Sequence, residues 1–495
     1  MRLLNTSTFK LKTFYDTRPK YAILSHTWTD NEIMFEDYEP SGVRAVESAS
    51  QAILARFLRG GGTARSYYIP RSSSSSAYEK IWKACRHAKS RNHNYIWIDT
   101  CCIDKRSSHE LSEAINSMWR WYRDSEVCFA YLADVPYSDA YLVLDTDQLD
   151  TDQSDTEHPN TEQSDTERSD TELSRTERSN TEPLLKETDR EAYNAFIHSR
   201  WFTRGWTLQE LIAPRRVHFL SSEWKFIGSK KNLSQEIAVA SGLNEDCLDA
   251  INASAYSTYM KMSLAARRET TREEDAAYCL LGLFGINMPL LYGEGRAQAL
   301  KRLQLAIVEA EHDPTLLGWS DQSFETWDFA LSPFPCFASS AKHFLTSYAV
   351  VALNEGDRLR LSLSSVRPYS MTNLGLHINL PVTSIPEGMR VREGLEENML
   401  GFYAIVGKME AGGGQACVAI PVYCYSKPPA PARRFSRFRR PKHSDRTTTA
   451  EMMEDNICYR SRPGIALLPW DVAGLKERWF YLGNVHRSMV TDMYR

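Results

Sequence analysis

The sequence predicts an α/β fold in which a parallel sheet carries helices on both faces, followed by a helical segment and a C-terminal antiparallel β domain. Residues 21–221 alternate short strands that are apolar throughout with amphipathic helices, and strands of that kind lie in parallel sheets covered on both sides. From about residue 320, strand-length runs separated by Gly, Pro and Asn take over. This texture is typical of an antiparallel sandwich or partial barrel.

Four strands and three helices make up the first region. The predicted strands are YAILSHTW from Tyr21, YIWIDTCCI from Tyr95, VCFAYLADV from Val127 and RRVHFLS from Arg215. The predicted helices are AYEKIWKACRHAKS, ELSEAINSMWRWYRDS and REAYNAFIHSRWFTRGWTLQELI, in chain order. Apolar residues recur in them at helical spacing, Ser107 and Ser108 are candidate N-caps of the second, and Pro214 ends the third.

A helical segment follows the first region. Thr271 and Glu274 have the spacing of a capping box. The stretch RAQALKRLQLAIVEAEHD is amphipathic, with one apolar stripe formed by Leu300, Leu303, Ile307 and Ala310. We therefore divide the chain into 1–228, 229–315 and 316–495.

Two stretches interrupt the first region and are predicted to be disordered insertions. Residues 42–76 end in a serine run, and residues 146–183 hold an acidic repeat with a threonine every five residues. A period of five fits neither a helix nor a strand, and so few apolar side chains cannot offset the entropy of ordering. A third polar stretch, residues 427–449, is predicted to be a loop within the β domain.

Composition excludes several classes of function. The formal net charge of −4 provides no field for nucleic acid or an acidic membrane surface. The longest apolar stretch, which starts at Cys279, is broken by Gly, Asn and Pro, so no membrane span is expected. The N-terminus has no signal-peptide pattern, and the ten scattered cysteines form no CxxC pair. We expect reduced thiols, no metal site and a cytoplasmic location.

Polar residues follow the first two strands, at the edge where open parallel sheets bind ligands. Ser25, His26 and Trp28 follow the first strand, and Asp99 with Cys101 and Cys102 follows the second. Asp99 is a candidate partner for a ribose hydroxyl or a residue that fixes the turn. His26 with Cys101 or Cys102 suggests a base and a thiol nucleophile, although adjacent cysteines are more often small buried hydrophobes.

A third polar group lies on the helix before Pro214. Trp206 and Glu210 are four residues apart and share a helix face. Two interpretations stay open for each residue. Glu210 is either a reacting carboxylate or a structural one that pairs with Arg200, Arg204 or Arg215. Trp206 is either a stacking platform or part of the core.

Several segments together resemble the fungal heterokaryon incompatibility (HET) domain: YAILSHTW, YIWIDTCCIDK, ELSEAINSMWRWYRDSEVCFAYLADV and SRWFTRGWTLQELIAP. The later stretches from Arg267 and from Leu331 resemble regions that follow this domain in fungal proteins. The resemblance implies a fold similar to the flavodoxin-like Toll/interleukin-1 receptor (TIR) domains. It also implies a role in non-self recognition that ends in programmed cell death.

The resemblance also implies two competing mechanisms. TIR domains that cleave NAD carry a W-x-x-x-E arrangement with a catalytic glutamate, which WTLQE matches at Trp206 and Glu210. On that interpretation Glu210 is catalytic, the substrate is NAD, and Ser25, His26, Trp28, Asp99 and Trp206 form the binding pocket. No other cofactor is implied. The alternative is a signalling module that self-associates and recruits protein partners without chemistry.

Overall fold

A computed structural model describes most of the chain outside its insertions. The described residues are 1–29, 32–38, 75–139, 187–243, 245–248, 255–321, 336–345, 350–365, 367–389, 399–411, 414–425, 457–460, 465–470, 472 and 475–482. The acidic repeat and the loop 427–449 lie outside them, and disorder there stays a prediction. Of the insertion 42–76, only Ser75 and Ser76 are described, and they begin a helix.

The first sheet has seven strands. They are β1 (Arg2–Asn5), β2 (Leu11–Thr13), β3 (Ala22–His26), β4 (Tyr95–Trp97), β5 (Val127–Tyr131), β6 (Val217–Leu220) and β7 (Phe226–Ser229). Their order in the sheet is β2-β1-β4-β3-β5-β6-β7. The four central strands are parallel, whereas β1, β2 and β7 are antiparallel to their neighbours.

The central strands confirm the predicted parallel sheet. If β3, β4, β5 and β6 are numbered 1 to 4 in chain order, their order in the sheet is 2-1-3-4. The direction in which successive strands are added therefore reverses between β3 and β5. A reversal of this kind opens a crevice at the carboxyl ends of the two strands. The antiparallel edge strands were not predicted. Strands β1, β2 and β7 have only three or four residues each, too few to show an alternation of apolar and polar residues.

Five helices belong to this region: α1 (Ser75–Ser90), α2 (Asp99–Cys102), α3 (Ser108–Arg123), α4 (Glu187–Ile197) and α5 (Thr207–Ile212). Two predictions need correction. The strand predicted over residues 95–103 ends at Trp97, and α2 follows it directly. The single helix predicted over residues 190–212 is three pieces, with a 3₁₀ turn at Arg200–Thr203 between α4 and α5.

Side-chain capping accounts for the break between α4 and α5. The Ser199 hydroxyl accepts a hydrogen bond from the Trp201 amide and donates one to Asp134. The Gly205 amide is bonded to the Glu269 carbonyl, away from any helix. Ser107 caps α3 as predicted, since its hydroxyl accepts from the Glu110 amide.

The helical segment contains α6 (Ser234–Ser241), α7 (Thr258–Ser263), α8 (Asp275–Tyr278), α9 (Leu281–Phe284) and α10 (Arg296–Ala310). The predicted capping box is wrong. The Glu274 carboxylate instead accepts from the amides of Gly293 and Gly295, at 2.8 and 3.0 Å. Leu300, Leu303 and Ile307 are buried as predicted. Ala310 is exposed because α10 ends there.

The C-terminal region contains a second sheet and the helix α11 (Glu355–Arg360). Its strands are β8 (Val350–Val351), β9 (Ser370–Thr372), β10 (Gly375–Ser384), β11 (Met399–Ala411), β12 (Gly414–Tyr425), β13 (Ile457–Arg460), β14 (Ala466–Pro469) and β15 (Lys476–Leu482). Strands β12, β13, β15, β10 and β11 pair in a closed ring, because β11 also pairs with β12. The pairing is antiparallel as predicted, except between β13 and β15.

One hydrophobic core runs through all three predicted regions. It extends from Leu3 in β1 through Tyr259 in α7 to Leu482 in β15. A smaller cluster around Ile405 lies apart from it in the second sheet. Our division at residues 228 and 315 stays a prediction. Within the described part of the chain, no helix is both long and apolar enough to cross a bilayer.

Candidate functional site

Two of the predicted site residues lie at the crevice of the first sheet. Ser25 and His26 are the last residues of β3, and they pair in register with Ala130 and Tyr131 of β5. The winding reverses between these two strands. Their side chains therefore lie where an open parallel sheet offers its ligand crevice.

Glu210, in α5, contacts this strand end directly. The Ser25 hydroxyl donates a hydrogen bond to the Glu210 carboxylate. The same Ser25 oxygen accepts a hydrogen bond of 2.7 Å from the indole nitrogen of Trp201. Glu210 is only 8% exposed, so the indole, the hydroxyl and the carboxylate form a buried chain of hydrogen bonds.

The Glu210 carboxylate is not locked in an ion pair. No arginine or lysine nitrogen among the described residues lies within 4 Å of it, and Arg204 donates to the His26 carbonyl at 2.9 Å instead. Burial raises the pKa of Glu210 to about 7, against the opposing effects of the Ser25 hydrogen bond and the Arg204 charge. The group is therefore a carboxylic acid that changes charge near neutral pH.

His26 lies between two carboxylates. Its side chain is almost fully buried, yet neither ring nitrogen has a hydrogen-bond partner among the described residues. Nε2 is 3.7 Å from Glu32 and Nδ1 is 3.9 Å from Asp99, both too long for hydrogen bonds. The imidazole therefore lies near two carboxylates, and no hydrogen bond within the described residues fixes which of its nitrogens carries the proton.

Glu32 supplies the more deeply buried of the two carboxylates. It accepts from the Lys80 ammonium and from the Thr29 amide, the latter at 2.8 Å. Burial opposes its ionisation, but His26 and Lys80 together hold the pKa of Glu32 well below its usual range. It is thus a permanent negative charge in the wall of the site.

Asp99, Trp28 and Lys105 form the outer part of the site. The Trp28 indole nitrogen donates to Asp99 at 2.8 Å. The Lys105 ammonium lies 3.5 Å from the centroid of the Trp28 ring and 3.9 Å from Asp99. Burial lowers the pKa of Lys105. Trp28 is 44% exposed, so its ring is the part of the site that meets solvent, whereas the Lys105 ammonium nitrogen is shielded from water.

Trp206 is the one predicted site residue that the structure places elsewhere. Its indole nitrogen donates to Asp275 at 3.0 Å, and the Tyr292 hydroxyl donates to the same carboxylate at 2.9 Å. Burial raises the pKa of Asp275. The indole therefore links α5 to the helical segment, while Glu210 four residues later contacts the sheet.

The two adjacent cysteines, Cys101 and Cys102, are the last residues of α2, and both are buried in the hydrophobic core. Burial raises the pKa of Cys101 well above its usual value, which suppresses the thiolate. The near neighbours of His26 are carboxylates rather than thiols. In the described ranges, no cluster of His, Cys, Asp and Glu has the geometry to hold a metal ion.

Sequence reasoning missed the residues that complete the site. They are Glu32, Lys80, Lys105, Trp201, Arg204 and Tyr122, whose hydroxyl lies within hydrogen-bonding reach of the Glu210 carboxyl. Lys105 follows the second strand within YIWIDTCCIDK, and its position after a strand end was a usable signal. Tyr122 and Trp201 gave none, because a buried aromatic residue at helical spacing predicts only core.

The region that matches a known protein family contains all of these site residues. Residues 21–210 match the family model described as heterokaryon incompatibility protein (HET). The chain is 36% identical over 288 residues to vegetative incompatibility protein HET-E-1 of Podospora anserina. That match covers 58% of this chain but 16% of the relative, so the chain spans a small part of that protein's length. No solved structure matches.

Proposed function

Because residues 21–210 of this chain match the heterokaryon incompatibility family model, we propose that the protein acts in vegetative incompatibility, the recognition of non-self that ends in programmed cell death. The 36% identity to a vegetative incompatibility protein supports this role. Fungal cells that express the protein together with an incompatible partner would therefore die. The partner and the trigger belong to the same proposal.

For the chemistry, we propose that the domain cleaves NAD between ribose and nicotinamide. The 2-1-3-4 order of the parallel strands supports a TIR-like, flavodoxin-like arrangement. The observation that carries the proposal is Glu210: a buried carboxyl without an ion pair, with its pKa raised to about 7, against the crevice edge of β3. Strong shifts of this kind cluster at functional sites.

The reaction needs little from the protein beyond one carboxylate. The bond between ribose C1′ and the nicotinamide nitrogen breaks, and its electron pair leaves with the neutral nicotinamide. Positive charge develops on the sugar, which an ionised Glu210 stabilises. Water then adds to C1′ and releases a proton to the carboxylate or to solvent. No general acid is required, because nicotinamide leaves without protonation.

The neighbouring residues have positioning and binding roles in this scheme. Ser25 orients the Glu210 carboxylate through its hydrogen bond. Asp99 and His26 lie at neighbouring strand ends and carry groups suited to ribose hydroxyls, and Trp28 offers a partly exposed ring for stacking. Since Glu210 is 8% exposed, the substrate must displace the side chains that cover it.

The test measures nicotinamide release from NAD by the full chain. The full chain is needed because Arg268 and Asp275, both beyond residue 228, bond to the start of α5. We expect release by the native protein, rising with pH through about 7 as Glu210 ionises, and loss of at least roughly a hundredfold in Glu210→Gln. Glu113→Gln, on the exposed face of α3, is the matched control and should keep full activity.

One observation favours a second candidate function. Glu210 is buried and already bonded to Ser25, as a purely structural carboxyl would be. The domain would then act by self-association and partner recruitment. No nicotinamide release at protein concentrations that cause assembly, or cell death that persists in Glu210→Gln, would establish this candidate in place of the hydrolase.

A further inference from the structure

A pocket lies between the start of α5 and the helical segment. The space between its walls measures about 360 Å³, a figure that includes space open to solvent. Gly205 lines one side, and the 3₁₀ turn Ala341–Phe344 contributes to the other. Its charged lining residues are all cations, namely Arg268, Arg296 and Lys342. This charge composition indicates an anionic occupant.

Arg268 provides the strongest evidence, because it is 6% exposed and lacks a described counter-ion. Its Nη1 donates to the Arg204 carbonyl at 2.9 Å and to the Thr207 hydroxyl at 3.0 Å. Its Nε and Nη2 are shielded from water and donate to no described residue. An uncompensated buried charge is costly, and burial lowers the pKa of this guanidinium to about 10.

The other two cations reach the pocket from separate elements. Arg296 is the first residue of α10, and no described residue bonds to its side chain. Lys342 lies 3.8 Å from Glu269, but both side chains are more than half exposed, so this pair is weak. The amides before α10 are already taken by Glu274. The positive charge of the pocket therefore comes from side chains and not from the helix end.

We propose that this pocket binds the phosphate group of a small molecule. Three cations that converge from different elements suit a tetrahedral oxyanion with several acceptor oxygens better than a single carboxylate. Ala265, Ala276 and Leu300 offer an apolar surface to the remainder of the ligand.

The site is independent of any reaction at Glu210, although the two are physically connected. Arg268 holds the first turn of α5 through Arg204 and Thr207, and Glu210 lies on that helix. An anion that compensates Arg268 would stabilise this turn. Binding itself needs no chemistry, so failure of the NAD assay leaves this proposal intact.

The test is titration calorimetry of the full chain with inorganic phosphate and, separately, with a nucleoside monophosphate, against sodium chloride at equal ionic strength. We expect saturable binding of phosphate beyond the chloride control. The double variant Arg296→Ala, Lys342→Ala should weaken it by at least roughly tenfold, because two charge-assisted contacts are lost. Lys301→Ala, on the same helix but outside the pocket, should bind as the native chain does.

The two probes distinguish the source of the phosphate. Tighter binding of the nucleotide, lost in the double variant, identifies a phosphorylated small molecule, whereas equal binding identifies free phosphate. Arg268→Lys keeps the charge but loses the forked donors, and it should bind phosphate more weakly. If that variant fails to fold, the double variant at Arg296 and Lys342 still decides the question. Absence of phosphate binding, or unchanged affinity in the double variant, would overturn the proposal.

Discussion

Burial and a few polar neighbours determine the ionisation state of the candidate catalytic residue. Ser25 bonds to both Trp201 and Glu210, the Tyr122 hydroxyl lies within hydrogen-bonding reach of the same carboxyl, and no cation of the described residues pairs with it. Its pKa is raised because burial disfavours the charged form, and these hydrogen bonds together with the Arg204 charge offset only part of the penalty. The spacing of Trp206 and Glu210 predicted a shared face, but the two side chains have different partners.

The raised pKa of Glu210 makes stability depend on pH. The folded-state pKa is about 7, against an ordinary value of 4.5. The native state therefore holds this proton more tightly, and the stabilisation is complete below pH 4.5 and is lost as the pH rises through about 7. The difference corresponds to roughly 3 kcal/mol. Urea unfolding at pH 5 and pH 8 should show this loss in the native chain and not in Glu210→Gln.

Other groups titrate in the same range, so the variant comparison is the measurement that matters. Burial lowers the pKa of His218 to about 3 and of His87 to about 4, which makes the chain less stable as the pH falls below 6.5. That effect is common to both proteins and cancels in the difference. An equal pH dependence for the native chain and Glu210→Gln would contradict the assignment to Glu210.

At the scale of elements, short helices and turns carry the contacts that join the regions. α5 has six residues, too few to be stable alone, and it is held by Arg268 and Asp275 from the helical segment. The helix α9 has only four residues, and it packs against α3. Local sequence did not show that the predicted helix over residues 190–212 is broken, because the break depends on Asp134 and Glu269, which are distant in the chain.

The contact between α9 and α3 provides a test at this scale. A Cβ atom at Gly282 would lie 2.1 Å from the Trp119 Cβ atom, so Gly282→Ala forces the two helices apart. We expect a loss of about 1–3 kcal/mol in the free energy of unfolding, measured by urea titration. Gly388→Ala is the control, since no atom of the described residues lies within 4 Å of its added carbon. Equal effects of the two substitutions would show that the packing is looser than described.

At the scale of the whole molecule, one core and a few long-range polar contacts connect the α/β region to the β region. Arg460, in β13, is 1% exposed and donates to the carbonyls of Leu317 and Trp319. Its guanidinium carbon also lies 4.0 Å from the centroid of the Trp319 ring. The residue thereby fastens the closed ring of strands to the chain that leaves the helical segment.

Arg460→Met should therefore destabilise the entire protein. It leaves two buried carbonyls without these donors, and we expect a loss of about 2–5 kcal/mol. Differential scanning calorimetry would detect the lower melting temperature. Lys476→Met, at an exposed position of β15, removes the same charge and should change the melting temperature little. If only a C-terminal transition shifted, the regions would unfold separately, in contrast to the single core.

The sequence by itself determined the alternation of parallel strands and helices, the antiparallel C-terminal region, the resemblance of residues 21–210 to the heterokaryon incompatibility domain, and the placement of Ser25, His26 and Asp99 at strand ends. Those features depend on local apolar periodicity and on motifs within a few residues of each other. Only the tertiary structure decided that Ser25 contacts Glu210, that Asp275 takes the Trp206 indole, and that three cations meet in one pocket. These residues lie in different elements, and their partners follow from the packing of the elements, which local periodicity does not encode.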